Sequence, residues 1–149
     1  MSERKYEFFS LSEFDSPDVK GSGVNMQHST MEMLDKARAL AGIPFVINSG
    51  FRTEAFNKVI GGVANSAHLR GYAADIRCYS WSNFEQIVMA LILVGFRRIG
   101  THHAYVHADN DPNLEPATWL YDRSNLEQNS RLQFVNAALK MFNFIKLTQ

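Results

Sequence analysis

The chain has 149 residues, enough for one domain whose core needs no cross-links, and its 46% apolar content excludes wholesale disorder. Fifteen basic and fifteen acidic side chains cancel, and the pI near 7.0 argues against a nucleic-acid protein, whose affinity would need a basic excess or patch. Cys78 stands alone, so no internal disulfide is expected and cysteine-based metal sites are excluded, and no apolar run approaches the roughly 18 residues of a membrane span.

The opening residues, Met1-Ser2-Glu3-Arg4-Lys5-Tyr6-Glu7, contain no long apolar stretch, so no secretory signal is expected and synthesis in the cytoplasm is. Residues 1–24 are polar and turn-rich, with Phe8, Phe9, Leu11 and Phe14 as apolar anchors, and read as a strap pinned to the body. Ser12-Glu13-Phe14 forms a short helical turn in this reading. Met26, Met31, Met33, Leu34, Ala37, Leu40 and Ala41 approximate a 3.6-residue stripe, which predicts a helix over 26–41 capped by Asn25 and ended by Gly42 and Pro44.

Phe45-Val46-Ile47-Asn48-Ser49 is β-rich and short, a strand that delivers Arg52 at its end. Thr53 caps a brief helix over 54–59 that stops at Gly61-Gly62. A loop or single turn bearing Ser66 and His68 leads to a strand over 72–78, in which Ala73, Asp75 and Arg77 point one way and Ala74, Ile76 and Cys78 the other. Ser80 caps a strong helix over 81–94, with Phe84, Ile87, Val88, Leu91 and Leu93-Val94 as its buried side. Strands are expected over 96–100 and 105–109, the second with Tyr105, His107 and Asp109 on one face, and a last one over 117–121. If strand 105–109 pairs with strand 72–78, His107 and Asp75 become cross-strand neighbours close enough to share an ion. The tail, 130–145, is helical by pattern: Leu132, Val135, Leu139 and Phe142 form a stripe flanked by Phe134, Ala138 and Ile145, and its charges Arg131, Lys140 and Lys146 are all positive. Such a helix packs on the domain, makes a dimer contact, or lies on an anionic membrane surface.

Two imidazoles and one carboxylate, His68, Asp75 and His107, have the donor types of an open zinc site, in which a coordination position stays free for water. The same residue types also occur as ordinary satisfied polar groups, and with no HExxH motif present the spacing alone leaves both readings open.

The full pattern is more specific. Ser49-Gly50-Phe51-Arg52-Thr53, then Ser66-x-His68-x-x-Gly71-x-Ala73-x-Asp75, then Val106-His107-x-Asp109 with Trp119 after it, resembles the M15 peptidases, the zinc D-Ala-D-Ala carboxypeptidases and phage endolysin endopeptidases. The likeness covers roughly residues 8–122, is nearest to the small branch whose last ligand lies on a Phe/Tyr-Val-His strand, and extends at the level of scaffold to hedgehog domains. It implies His68, Asp75 and His107 as Zn2+ ligands, Arg52 as the cation that holds and polarises the substrate, and Ser66 as a hydrogen-bonding partner of the peptide.

In many relatives a Glu or Asp stands three residues before the last histidine, and in others a histidine stands two before it; here those positions are Ala104 and Tyr105. Asp109 and His103 are the remaining candidates for the base, and Asp109 could instead orient a ligand histidine. The resemblance implies an α+β fold, a small mainly antiparallel sheet with packed helices and a zinc cleft above it, with a peptidase domain over 1–122 and a C-terminal helical extension over 123–149. The expected activity is hydrolysis of peptidoglycan stem or cross-link peptides, as carboxypeptidase or endopeptidase, at the cell wall or in the periplasm, in a phage-type lysis or entry role or as an exported bacterial protein. The alternatives are a zinc-binding cell-wall recognition domain without turnover and cleavage of the L-Ala-D-Glu bond.

Overall fold

The computed structural model describes residues 6–121 and 126–148. It is the expected α+β architecture: five strands, β1 (Ile47–Ser49), β2 (Ala73–Arg77), β3 (Arg98–Thr101), β4 (Tyr105–Asp109) and β5 (Ala117–Leu120), in the order β1-β2-β4-β3-β5. Every neighbouring pair is antiparallel except β3 and β5, which run parallel because the chain crosses over from β4 to the far edge of β3. Among the described residues four α-helices accompany the sheet: α1 (His28–Ala41), α2 (Glu54–Val59), α3 (Trp81–Val94) and α4 (Leu126–Thr148).

Strand alternation separates two chemistries. Ala74, Ile76, Val106, Ala108 and Ile99 are fully buried and join the core that α1 and α3 supply through Met31, Leu34, Phe84, Ile87 and Leu91. Burial of each large side chain contributes about 1.5–3 kcal/mol, which offsets the ordering of its own segment. The opposite face is polar. One cross-strand row reads Ser49, Asp75, His107, Gly100, Trp119 from edge to edge of the sheet. Gly100 is required in that row: a Cβ there would lie 2.5 Å from the Trp119 ring, which lies across the gap and comes within 5.2 Å of the His107 ring, centroid to centroid.

The N-terminal strap does more than pin itself to the body. Phe14 is fully buried beneath Gly50, its carbonyl accepts from Phe51 N–H at 2.9 Å, and Ser16 Oγ accepts from Thr53 N–H at 3.1 Å. Those bonds fix the 50–53 turn that presents Arg52. Asn25 does not cap α1. Residues Ser22–Asn25 form a 3₁₀ turn in which Asn25 bonds back to Ser22 O, and Gln27 takes the N-cap position. On α3 the buried side passes through Ile92 rather than Leu93, which is 54% exposed, because Ile92 stands one turn after Val88.

The α4 helix packs on α3, β3 and β5 through Val135 and Ala138. Arg131 belongs to that buried side, with its guanidinium 4.7 Å from the Phe84 ring centroid, so it adds nothing to a basic outer face. Ile145, expected to flank the packed stripe, is exposed. The domain boundary expected at 122/123 lies outside the described residues. No helix among those described is long and apolar enough to cross a membrane.

Candidate metal centre

Three elements bring the histidines and aspartate together. Asp75 on β2 and His107 on β4 are directly paired across the strands, as the alternation predicts. His68 comes from a 3₁₀ turn, Ala67–Arg70, that folds over the polar face; Ser66 caps it by accepting from His68 N–H, and Gly71 ends it in the left-handed region with φ +76°. Gly71 can have no side chain, since a Cβ would run into the Asn25 carbonyl. All three residues are buried.

Their donor atoms form a tight triangle. His68 Nε2 lies 3.2 Å from His107 Nδ1 and 3.3 Å from Asp75 Oδ1, and His107 Nδ1 lies 2.9 Å from Asp75 Oδ1. Donors about 2.0–2.1 Å from a tetrahedral zinc stand roughly 3.3 Å apart, so the triangle is close to the size of one face of that tetrahedron. The outward nitrogens are anchored. His68 Nδ1 is 2.7 Å from the Gly50 carbonyl oxygen and His107 Nε2 is 2.7 Å from Asp109 Oδ2, both acceptors only. Each outward nitrogen therefore carries the proton, and in the neutral rings the inward lone pairs of His68 Nε2 and His107 Nδ1 converge beside a carboxylate.

Such an arrangement requires a cation. With only protons to bind, His107 takes that part: burial disfavours its charge, but hydrogen bonds to Asp109 and Asp75 and their negative charges outweigh this and push its pKa up to about 9. Burial holds the His68 pKa below the ordinary histidine value. Asp75 is kept ionised, because the two histidines overcome the burial that would raise its pKa. Two nitrogens and one carboxylate oxygen, dry and pre-oriented, can hold a divalent ion and leave a position open on the cleft side.

The cleft above the triangle has a volume of about 440 Å³ and is lined by Arg52, Ser66, Asp109, Arg98, Tyr105, Trp119 and Tyr121 among others. Arg52 Nη2 is 3.3 Å from Asp75 Oδ2, and its other nitrogens reach Ser49 Oγ at 3.0 Å and Asn57 Oδ1 at 3.4 Å. Ser66 lines the cleft beside His68.

Asp109 is fully committed, with Oδ2 on His107 and Oδ1 accepting from Arg98 Nε at 2.8 Å. That places its carboxylate behind the imidazole, on the side away from the triangle. His103 is exposed, stacks on His102 at 4.1 Å between centroids, and does not line the cleft. Among the described residues Asp75 and Asp109 are the only carboxylates on the cleft wall.

Sequence reasoning did not anticipate Arg98, Asn57, Tyr121 or the Gly50 carbonyl as parts of this site. Arg98 is the cross-strand partner of Asp109, a pairing visible only once the β3–β4 register is known.

A buried His-Asp-His triangle beneath a cleft, on the polar face of a one-sided sheet, is a donor set that could hold a metal ion. The sequence profile of the Peptidase M15 family matches residues 9–109, and the chain belongs to that family of peptidases. Comparison with curated proteins gives no match. The matched span contains His68, Asp75 and His107 and ends at Asp109, while Trp119, Tyr121 and α4 lie beyond it.

Proposed function

We propose that this chain is a zinc-dependent hydrolase of peptide bonds in peptidoglycan stem or cross-link peptides, a DD-carboxypeptidase or an endopeptidase, acting at the cell wall in phage lysis or host penetration. The observation that carries the metal part is the convergence of two oriented imidazole lone pairs on a buried carboxylate oxygen within 3.3 Å. Family membership and the Ser-x-His to Asp pattern support the peptide substrate.

His68, Asp75 and His107 hold the ion in this reading, which when bound supplies Lewis-acid polarisation and lowers the pKa of water toward roughly 7. Arg52 holds the outer oxygen of Asp75 and offers its remaining N–H groups to a substrate carbonyl or carboxylate. Ser66 positions the His68 turn and presents its hydroxyl to the peptide. Asp109 is a positioning residue: it fixes which His107 nitrogen faces the cleft and is itself fixed by Arg98.

A second reading, a zinc-binding cell-wall recognition domain without turnover, draws on one observation: no third carboxylate stands on the cleft wall among the described residues to serve as base. Incubation of zinc-loaded protein with cross-linked muropeptides, with and without chelator, separates the two. New amine termini that vanish with chelator are expected. Intact muropeptides in both samples, with binding retained, would favour the recognition domain, and mass analysis of any products identifies the bond.

A further inference from the structure

Once the triangle, Asp109 and Arg98 are accounted for, the cleft wall still carries polar groups that take no part in holding the triangle. Arg98 is taken up by Asp109, by the Glu115 carbonyl and by the Trp119 ring face at 5.2 Å. Arg52 spends three of its nitrogens on Ser49, Asn57 and Asp75. Two phenols remain, Tyr105 and Tyr121, with ring centroids 5.5 Å apart. The Tyr121 oxygen accepts from the Trp119 indole N–H, and among the described residues neither phenol donates its own proton to a protein acceptor. They differ in their neighbours: Tyr105 stacks flat on His102 at 4.5 Å, whereas Tyr121 sets its ring edgewise to His107 at 6.3 Å and packs on Trp119 at 6.0 Å.

The local structure ties this position to the sheet. Tyr121 follows β5 directly, its N–H donates to the Thr101 carbonyl at 3.1 Å, and alternation puts it on the same face as Trp119. At 44% exposure it is open to a ligand lying in the cleft. It also lies beyond the span that matches the family, so this part of the wall is not covered by that match.

We propose that the Tyr121 hydroxyl donates a hydrogen bond to the carbonyl oxygen of the scissile peptide group as negative charge builds there. This rests on the peptidase reading above. The proton stays on tyrosine throughout, so the reaction remains simple hydrolysis: water adds across the amide, the C–N bond breaks, and the leaving nitrogen departs as an amine. A fixed donor at the developing charge stabilises the transition state more than the ground state, which raises kcat rather than tightening substrate binding.

Tyr121→Phe removes one oxygen and keeps the ring packing against His107 and Trp119. The measurements are kcat and KM on an acyl-D-Ala-D-Ala peptide and on cross-linked muropeptides, the Kd of a phosphinate analogue of the cleaved bond, and zinc content. The expected result is a fall in kcat of about 100-fold and a similar loosening of the phosphinate. KM stays within about threefold of the parent and one zinc is retained. Turnover within about twofold of the parent, a loss confined to KM, or a loss of zinc would each overturn the role of Tyr121 while leaving the peptidase reading in place. Parent protein that is loaded with zinc but neither cleaves these peptides nor binds the phosphinate would overturn both.

Discussion

Substituting Asp75 with asparagine is expected to weaken zinc binding by more than about 100-fold and to take peptidase activity with it, since even partners one step removed from a metal cost 10–100-fold when lost. Asp75 is the only negative charge in the donor triangle, 2.9 Å from one ligand nitrogen and 3.3 Å from the other. Asparagine keeps the shape and the bond from Arg52 but loses the charge that offsets a divalent ion in a buried site. The measurement is a zinc titration by calorimetry beside the parent, with circular dichroism to check that the variant is folded. Parent-like affinity in a folded Asp75→Asn protein would remove Asp75 from the ligand set.

Asp109→Ala carries the second large effect, and it has two parts. Asp109 is buried, and its removal leaves Arg98, whose side chain is only 18% exposed, without its carboxylate and with only the Glu115 carbonyl and the Trp119 ring; breaking a buried pair costs up to about 3–5 kcal/mol. The same change frees His107 Nε2, so the ring loses its fixed tautomer and zinc affinity falls by roughly 10–100-fold. Urea denaturation and zinc titration measure the two parts separately. If Asp109 were instead the proton acceptor of the reaction, Asp109→Asn would lose kcat with zinc affinity close to that of the parent. The geometry predicts the reverse order, with metal affinity falling first.

What could be read in the sequence follows from how local each feature is. Helix α2 over 54–59 and helix α3 over 81–94 have their caps, Thr53 and Ser80, and their glycine stops in adjacent residues, and both stand where the pattern places them. The Asp75–His107 pairing was legible because alternation puts each residue on a known face and only one register brings them level. The part played by Asp109 could not be settled in the same way. Its two oxygens are claimed by His107 on its own strand and by Arg98 on the next, and the second claim depends on a pairing that the sequence does not display. Tyr121 is not legible in the sequence for a related reason. It reaches the cleft only because β5 joins the sheet parallel to β3, after a crossover whose landing edge no local motif specifies. The strap's hold on the 50–53 turn has no local signal, because its bonds connect residues more than thirty positions apart.

The central claim, that His68, Asp75 and His107 take one divalent cation, is tested most directly by zinc calorimetry of the purified chain in buffers of different ionisation enthalpy. His107, whose pKa is pushed up to about 9, is protonated at pH 7, whereas His68 stays neutral and Asp75 ionised. Binding should therefore saturate at one zinc and release close to one proton from His107 at pH 7, with affinity rising about tenfold per pH unit until it levels off above pH 9. No saturable binding, or binding that releases no proton and persists unchanged when both histidines are replaced by alanine, would contradict the account.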